Sequence, residues 1–309
     1  MEVRPYRPVD AEAWNTFNAG AVNGAFLFDR RFMDYHADRF RDASLVVEES
    51  GAPVALLPLN RTEAEAWSHQ GLTYGGLIHH GLGTSAVMDA LEACARRLAA
   101  EGVRRLAYKA LPWIYPRMPA QGDLYWLFRR EAALIRRDVS AAIDYRARGR
   151  VSGRRARGVR KAEKAGLVFE RSQDWAGFWR LLEAVLAERH GAEPVHSLAE
   201  IERLADCFPA EIALHAAVRD GELLAGVVMF ASGQVAHAQY IAAGEAGRET
   251  GALDGLFERL IALYAPGHRY FDFGISNTDQ GHTLNEGLIR QKEEFGAGPV
   301  VHDHYRVAL

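Results

Sequence analysis

Two charged side chains stand where the hydrophobic pattern asks for apolar ones, and both lie near the carboxyl end. Residues 270–298 read as a short buried strand (Tyr270–Phe273), a loop rich in Gly, Ser and Asn (Gly274–Gly281) and an amphipathic helix ending at Gly296. Leu284, Leu288, Ile289 and Phe295 fall on one side of a helical period and mark the inward face, with Glu286, Arg290, Glu293 and Glu294 turned to solvent. Lys292 breaks that division: it sits on the apolar stripe, with Asn285 two turns back beside it. Asp272 repeats the anomaly as a carboxylate inside an aromatic strand that runs into a glycine. A buried charge is costly unless an ion or a hydrogen-bonding group meets it. Two readings follow. Either Asp272 and Lys292 form a structural ion pair, or both line a cleft that handles a polar substrate, with Ser276 in the adjoining loop and Asn285 beside Lys292 to bind it.

Two further places carry polar groups that can do chemistry. His237, in the strand-like run Gln234–Ala243, alternates with Val235 and Gln239, and an imidazole there can take a proton near neutral pH. Tyr240 is expected on the opposite face with Ala236 and Ala238, whose small side chains leave room for an extended arm or a ring. In the first half, Ser68–Gly76 is dense in polar and flexible residues. Glycines at 71, 75 and 76 permit close backbone approach, Tyr74 offers a ring face, and His69 a donor or acceptor. The plainer alternatives are a core histidine at 237 and a β-bulge at 68–76. No Cys or Ser sits with a His and an acid in a nucleophile turn, and the twelve histidines show no metal-ligand spacing, so neither a covalent intermediate on the enzyme nor a metal site is expected.

The elements that must position these groups repeat in order. In the first half come a strand at 2–7, helices at 10–17 and 29–40, a hairpin at 44–59, a strand near 64–69, a helix at 84–99 with Val87, Leu91, Cys94 and Leu98 on one face, and a strand at 103–109. Strand-like runs follow at 125–128 and 139–143. The second half runs through helices at 151–165, 175–189 and 197–207, the last with Ser197 and Glu200 as a capping box. Strands at 211–219, 222–231 and 234–243 come next, then a helix at 250–264 and strands at 270–273 and 300–307. The repetition predicts two similar mixed α/β domains, 1–148 and 149–309, each a mostly antiparallel sheet flanked by helices.

Composition narrows the class. The chain has 309 residues, 49% of them hydrophobic, which suits two ordinary cores. Its net charge of −3 gives no global pull toward nucleic acid or membrane. The charges do cluster locally: Arg146 to Lys164 carries nine basic residues against Glu163, a patch suited to phosphates of tRNA, of a nucleotide cofactor or of an anionic acceptor. Cys94 and Cys207 are isolated and expected to be free thiols in a reducing compartment. Leu223–Ala243 carries no formal charge, but Ser232-Gly233-Gln234 interrupts it, as in two strands joined by a turn. With no apolar signal-peptide core in Met1–Tyr6, a cytoplasmic protein is expected.

Particular residues also suggest a relative. Arg154-Arg155 with Arg160-Lys161-Ala162-Glu163-Lys164-Ala165-Gly166-Leu167 resembles the opening of the second domain in Fem-type aminoacyltransferases. Phe271-Asp272-Phe273-Gly274, continued by Lys292-Glu293-Glu294-Phe295-Gly296, resembles that family's closing signature, with Gln291 where an aromatic residue usually precedes the lysine. The order of elements resembles two acyltransferase folds of the GNAT type in tandem, as in the FemAB-like and BioF2-like acetyltransferase group. The resemblance implies an acyl donor entering a splayed sheet: an acyl-CoA in the acetyltransferase members, aminoacyl-tRNA in the Fem-type ones. It implies an amino-group acceptor on a sugar nucleotide or envelope precursor. By this resemblance Lys292 would polarise the carbonyl, Asp272 would orient the incoming amine or hydroxyl, and His237 would take the proton. Arg248, Thr250 and Gly251 would hold the CoA phosphates, although Leu253 stands where the motif has a small residue. His69 and Tyr74 would help hold the acceptor, and Tyr240 would face the substrate arm. The rival of a different class is a non-catalytic carbohydrate- or peptide-binding module.

Overall fold

The computed structural model describes residues 1–190 and 193–309. The chain divides into two compact units: Met1–Val139 with Asn277–Thr283 and Val301–Leu309, and Ser140–Ser276 with Leu284–Val300. The change of unit falls inside the strand Ala133–Asp144.

In the first unit, Glu2–Pro5, Leu45–Glu49, Ala52–Leu57 and Ile78–His79 form one antiparallel sheet. Its hairpin turns at Ser50 and Gly51, with φ of 53° and 78°, the paired left-handed geometry that suits a tight hairpin. Glu65–Trp67 and Arg105–Lys109 pair in parallel, and helix Thr84–Ala100 makes the crossover between them. Val87, Leu91, Cys94 and Leu98 all enter the core beneath that helix, as the spacing predicts. Two expectations fail here. The run at 125–128 lies in a helix, Gly122–Arg129, because Trp126 and Leu127 are buried while Tyr125 and Phe128 face solvent, a helical rather than a two-residue period. The helix expected over 29–40 is broken into short turns, Arg30–Met33 and Asp34–His36.

The second unit holds a sheet in the order Ser140–Asp144, Tyr270–Ile275, Val235–Ala243, Glu222–Ser232, Ile212–Arg219 and Val168–Ser172. Every neighbouring pair is antiparallel except Val235–Ala243 with Tyr270–Ile275, which is parallel. One face packs on helix Ala252–Tyr264 through Ala225, Val227, Met229, Ala236, Phe271 and Phe273 against Leu256, Phe257 and Leu260. Phe257, Phe273 and Phe295 pack ring to ring, which fixes the last helix to the same core. Helix Leu198–Cys207 begins with the expected capping box of Ser197 and Glu200.

The helix expected over 250–264 spans Ala252–Tyr264, and a shorter helix, Glu245–Thr250, precedes it. Glu245–Thr250 and Ala252–Tyr264 meet at Gly251, which takes φ 73° and lies against the backbone of helix Gly153–Lys164: a Cβ there would stand 2.8 Å from the Gly158 carbonyl oxygen. Gly251→Ala is therefore expected to cost about 1–2 kcal/mol for the left-handed backbone, plus the close contact. Urea unfolding checks this, and wild-type stability in the variant would contradict it.

Candidate active site

The site is built where the one parallel strand pair of the second unit stops. Val235, Ala236 and His237 pair with Tyr270, Phe271 and Asp272, and no rung follows. The strand Val235–Ala243 then carries a bulge. Phe230 faces His237 and Met229 faces Ala238, but Val228 faces Tyr240, so Gln239 has no opposite residue. Phe230 and Val228 are two apart and share a face. Their partners His237 and Tyr240 therefore share one too, which corrects the expectation of opposite faces: the extra residue shifts the two-residue alternation by one. On the other strand, Gly274 takes φ 76° beside the imidazole, and a Cβ there would lie 3.4 Å from His237 Cε1.

Asp272 is wholly buried. Its Oδ1 accepts from the Ser140 hydroxyl and from the Gly274 N–H at 3.1 Å, and its Oδ2 lies 2.8 Å from His237 Nδ1. A carboxylate with these donors is an acceptor, so Nδ1 carries the imidazole proton and Nε2 keeps its lone pair. His237 retains 12% side-chain exposure, and its Nε2 has no partner among the described residues. Asp272 thus orients His237 rather than meeting a substrate itself, because no part of it reaches solvent. Ser140 was not singled out from the sequence. It lies 132 positions from Asp272, and no local pattern links the two.

Lys292 is also inward, 5% exposed, but it does not pair with Asp272. Its Nζ donates to the carbonyls of Gly274 and Ile275 at 2.8 and 2.7 Å, clamping the end of the aromatic strand. Burial pushes its pKa down to about 8, and the field of Asp272 opposes that fall only in part. The structural ion pair is therefore replaced by an ammonium on two backbone acceptors. Its helix spans Glu286–Glu293, capped by Asn285, whose Oδ1 accepts the Leu288 N–H at 3.0 Å. Asn285 is thus a helix cap. Leu284 and Leu288, expected inside, are 48% and 37% exposed, because the helix begins after Leu284 and is phased by Ile289 and Phe295. Ser276 follows the strand end, buried, and its Oγ has no partner among the described residues. The Gln239 side-chain oxygen at the bulge is likewise unpartnered among them.

The remaining expected site residues lie elsewhere. Tyr240 is buried, its ring edge-on to Trp179 and its hydroxyl accepting the His196 N–H at 3.3 Å. Arg248 donates to the Ala243 carbonyl at 3.0 Å, and the Thr250 hydroxyl donates to the Ala246 carbonyl at 2.7 Å. Gly251 is covered by helix Gly153–Lys164. Beside it Arg155 bonds Asp254, in the first turn of the following helix, and also reaches Glu294 at 2.9 Å. These three positions do not form a phosphate cradle: the cation is tied to its own strand end, and an acid stands at the helix start.

In the first unit, the expected acceptor loop is stitched shut. Ser68 Oγ accepts the Lys109 N–H at 2.6 Å, and Lys109 Nζ donates to the Leu72 and Gln70 carbonyls at 2.6 and 3.1 Å. His69 is 3% exposed and stacks on His36, and burial holds its imidazolium down to about 3. Tyr74 packs edge-on to Phe28. A Cβ at Gly71 or Gly75 would fall 2.1 Å from His36 or from the Ser68 carbonyl oxygen, so these glycines serve internal packing, not ligand approach. His69 and Tyr74 are interior residues. Among the described residues there is no group of three or more potential metal ligands, and no helix is long and apolar enough to cross a membrane.

Comparison with known proteins agrees with this plan. Residues 148–280 match the family described as Acetyltransferase (GNAT) domain. The structure of FemX superposes with a TM-score of 0.71 at 13% identity, over 100% of this chain and 98% of that one. L-PGS from Bacillus licheniformis gives 0.59 at 14% identity, over 99% and 92%. A tandem GNAT protein from the clavulanic acid biosynthesis pathway gives 0.50 at 17%, over 86% and 82%. No curated protein sequence matches the chain. The fold so defined is of the GNAT type, with the match to the GNAT acetyltransferase domain confined to residues 148–280. Within it, this chain has the tandem, Fem-like form of the fold, with its GNAT match in the half that holds His237, Asp272 and Ser140's partner strand.

The depressed pKa of Lys292 has a consequence for stability. Between about 8 and the ordinary lysine value the unfolded chain binds the proton and the folded one does not, so this residue makes stability rise with pH across that window. Wild-type protein should gain on the order of 3 kcal/mol at most from pH 8 to 10.5 relative to Lys292→Met. Denaturation at several pH values measures the difference, and parallel curves would show that Lys292 titrates normally.

Proposed function

We propose that this protein is an N-acyltransferase whose chemistry takes place in the second unit, with His237 as the group that takes a proton from the attacking amine. The observation that carries this is the buried Asp272 fixing the Nδ1 proton of His237 at the last rung of the parallel pair. The amine nitrogen attacks the donor carbonyl carbon as His237 Nε2 accepts its proton. When the tetrahedral intermediate collapses, the leaving oxygen or sulfur departs and takes that proton back. Lys292 acts as a positioning residue that holds the Gly274–Ser276 turn in place. The acceptor class is an amino group on a sugar nucleotide or envelope precursor, and the setting is the cytoplasm.

For the donor, the geometry favours an aminoacyl ester of tRNA. Arg248, Thr250 and Gly251 are committed to internal contacts. Helix Gly153–Lys164, by contrast, exposes Arg154, Arg157, Arg160, Lys161 and Lys164, a face suited to phosphates. The similarity to FemX and to L-PGS supports the same choice. Acyl-CoA is the second reading, supported by the GNAT family match, and requires the turn at Gly251 to open.

His237→Gln is expected to lower turnover by about 10²- to 10⁴-fold with little change in melting temperature. A matching loss of stability would make His237 structural. The donor is separated by treating a charged-tRNA reaction with ribonuclease. Loss of product supports the aminoacyl ester, whereas undiminished transfer from acetyl-CoA alone would overturn it.

A further inference from the structure

A groove of about 780 Å³ opens in the second unit between the edge strand Val168–Ser172 and helix Ala252–Tyr264, and none of its lining residues belongs to the site above. Its accessible aliphatic surface comes from Val168 and Leu263, 57% and 59% exposed at the rim, above the core leucines Leu256 and Leu260. At the floor His215 is buried, its Nε2 lying 3.1 Å from the Tyr264 hydroxyl. Burial, helped by Arg171, depresses its pKa to about 4, so it is a neutral imidazole at physiological pH. The charges in the lining are Arg171, Arg259 and Glu170. Arg171 spends one donor on the Pro209 carbonyl at 2.7 Å, while Arg259 has no hydrogen bond or ion pair among the described residues. The lining therefore carries one net positive charge beside an aliphatic wall, in a volume typical of small-molecule sites.

We propose that this groove binds a small amphiphile with an aliphatic chain and one carboxylate, the chain lying along Leu263 and Val168 and the carboxylate meeting the guanidinium of Arg259. Glu170 disfavours a second negative charge on the ligand. The inference is independent of the role given to His237.

Calorimetric titration of the full chain with decanoate, below its micelle concentration, tests it, with decanol as the uncharged probe. Decanoate should bind saturably with one site, and Arg259→Ala should weaken it by about tenfold or more. Leu263→Asp changes an exposed position, so the protein should melt as wild type yet lose decanoate binding. Decanol should bind more weakly than decanoate by a factor similar to the Arg259→Ala effect. Absence of saturable heat, unchanged affinity in both variants, or decanol binding as tightly as decanoate would each overturn the proposal.

Discussion

The second unit depends on one buried carboxylate. An ionised aspartate with no exposure is tolerated only when donors replace the water it has lost, and Asp272 receives them from three directions. Ser140 comes from the antiparallel neighbour, His237 from the parallel neighbour, and the Gly274 amide from the strand's own turn. Satisfying the carboxylate thus ties three segments of the sheet at the point where the parallel pair ends. It also decides which imidazole nitrogen is left with a lone pair. Phe271 and Phe273 alternate with Asp272 and sink into the helix-facing core, so the strand cannot shift by one residue without exposing both rings and burying the wrong groups.

The same plan has different outcomes in the two units. Each has a short parallel strand pair joined through a helix, and each has a lysine just beyond it donating to two carbonyls. In the first unit Lys109 bonds the loop that leaves the partner strand, and that loop closes over the strand end. In the second, Lys292 reaches from a following helix to the end of the aromatic strand itself. The imidazole beside that strand keeps a nitrogen with no partner among the described residues. The one lysine seals and the other braces.

Much of the fold was legible because it rests on periodicity. The helix 84–100 and the hairpin at Ser50-Gly51 follow from spacing and turn chemistry alone. The inward placement of Asp272 and Lys292 was legible for the same reason, since both break a pattern. What they touch was not. Ser140 pairs with Asp272 across the sheet, and nothing local to either residue records it. The bulge at Gln239 defeated the face assignment of Tyr240, since strict alternation has no term for an unpaired residue. The glycines at 71 and 75 read as freedom to approach a ligand, whereas they make room for His36 and for the Ser68 carbonyl. A glycine's reason lies in its neighbours, and those come from distant segments. Leu284 and Leu288 failed for another cause: Leu284 lies before the cap at Asn285, and within the short helix the buried positions are Ile289 and Lys292, which leaves Leu288 at the edge.

The most direct test is the tautomer of His237, read from its side-chain nitrogen shifts by NMR in wild-type protein and in Asp272→Asn. The buried carboxylate requires the proton of the neutral imidazole to lie on Nδ1 in the wild type, with that preference lost in the variant. An imidazole protonated on Nε2 in the wild type, or the same tautomer in both proteins, would mean that Asp272 does not set the base, and the proposed chemistry would have no acceptor for its proton.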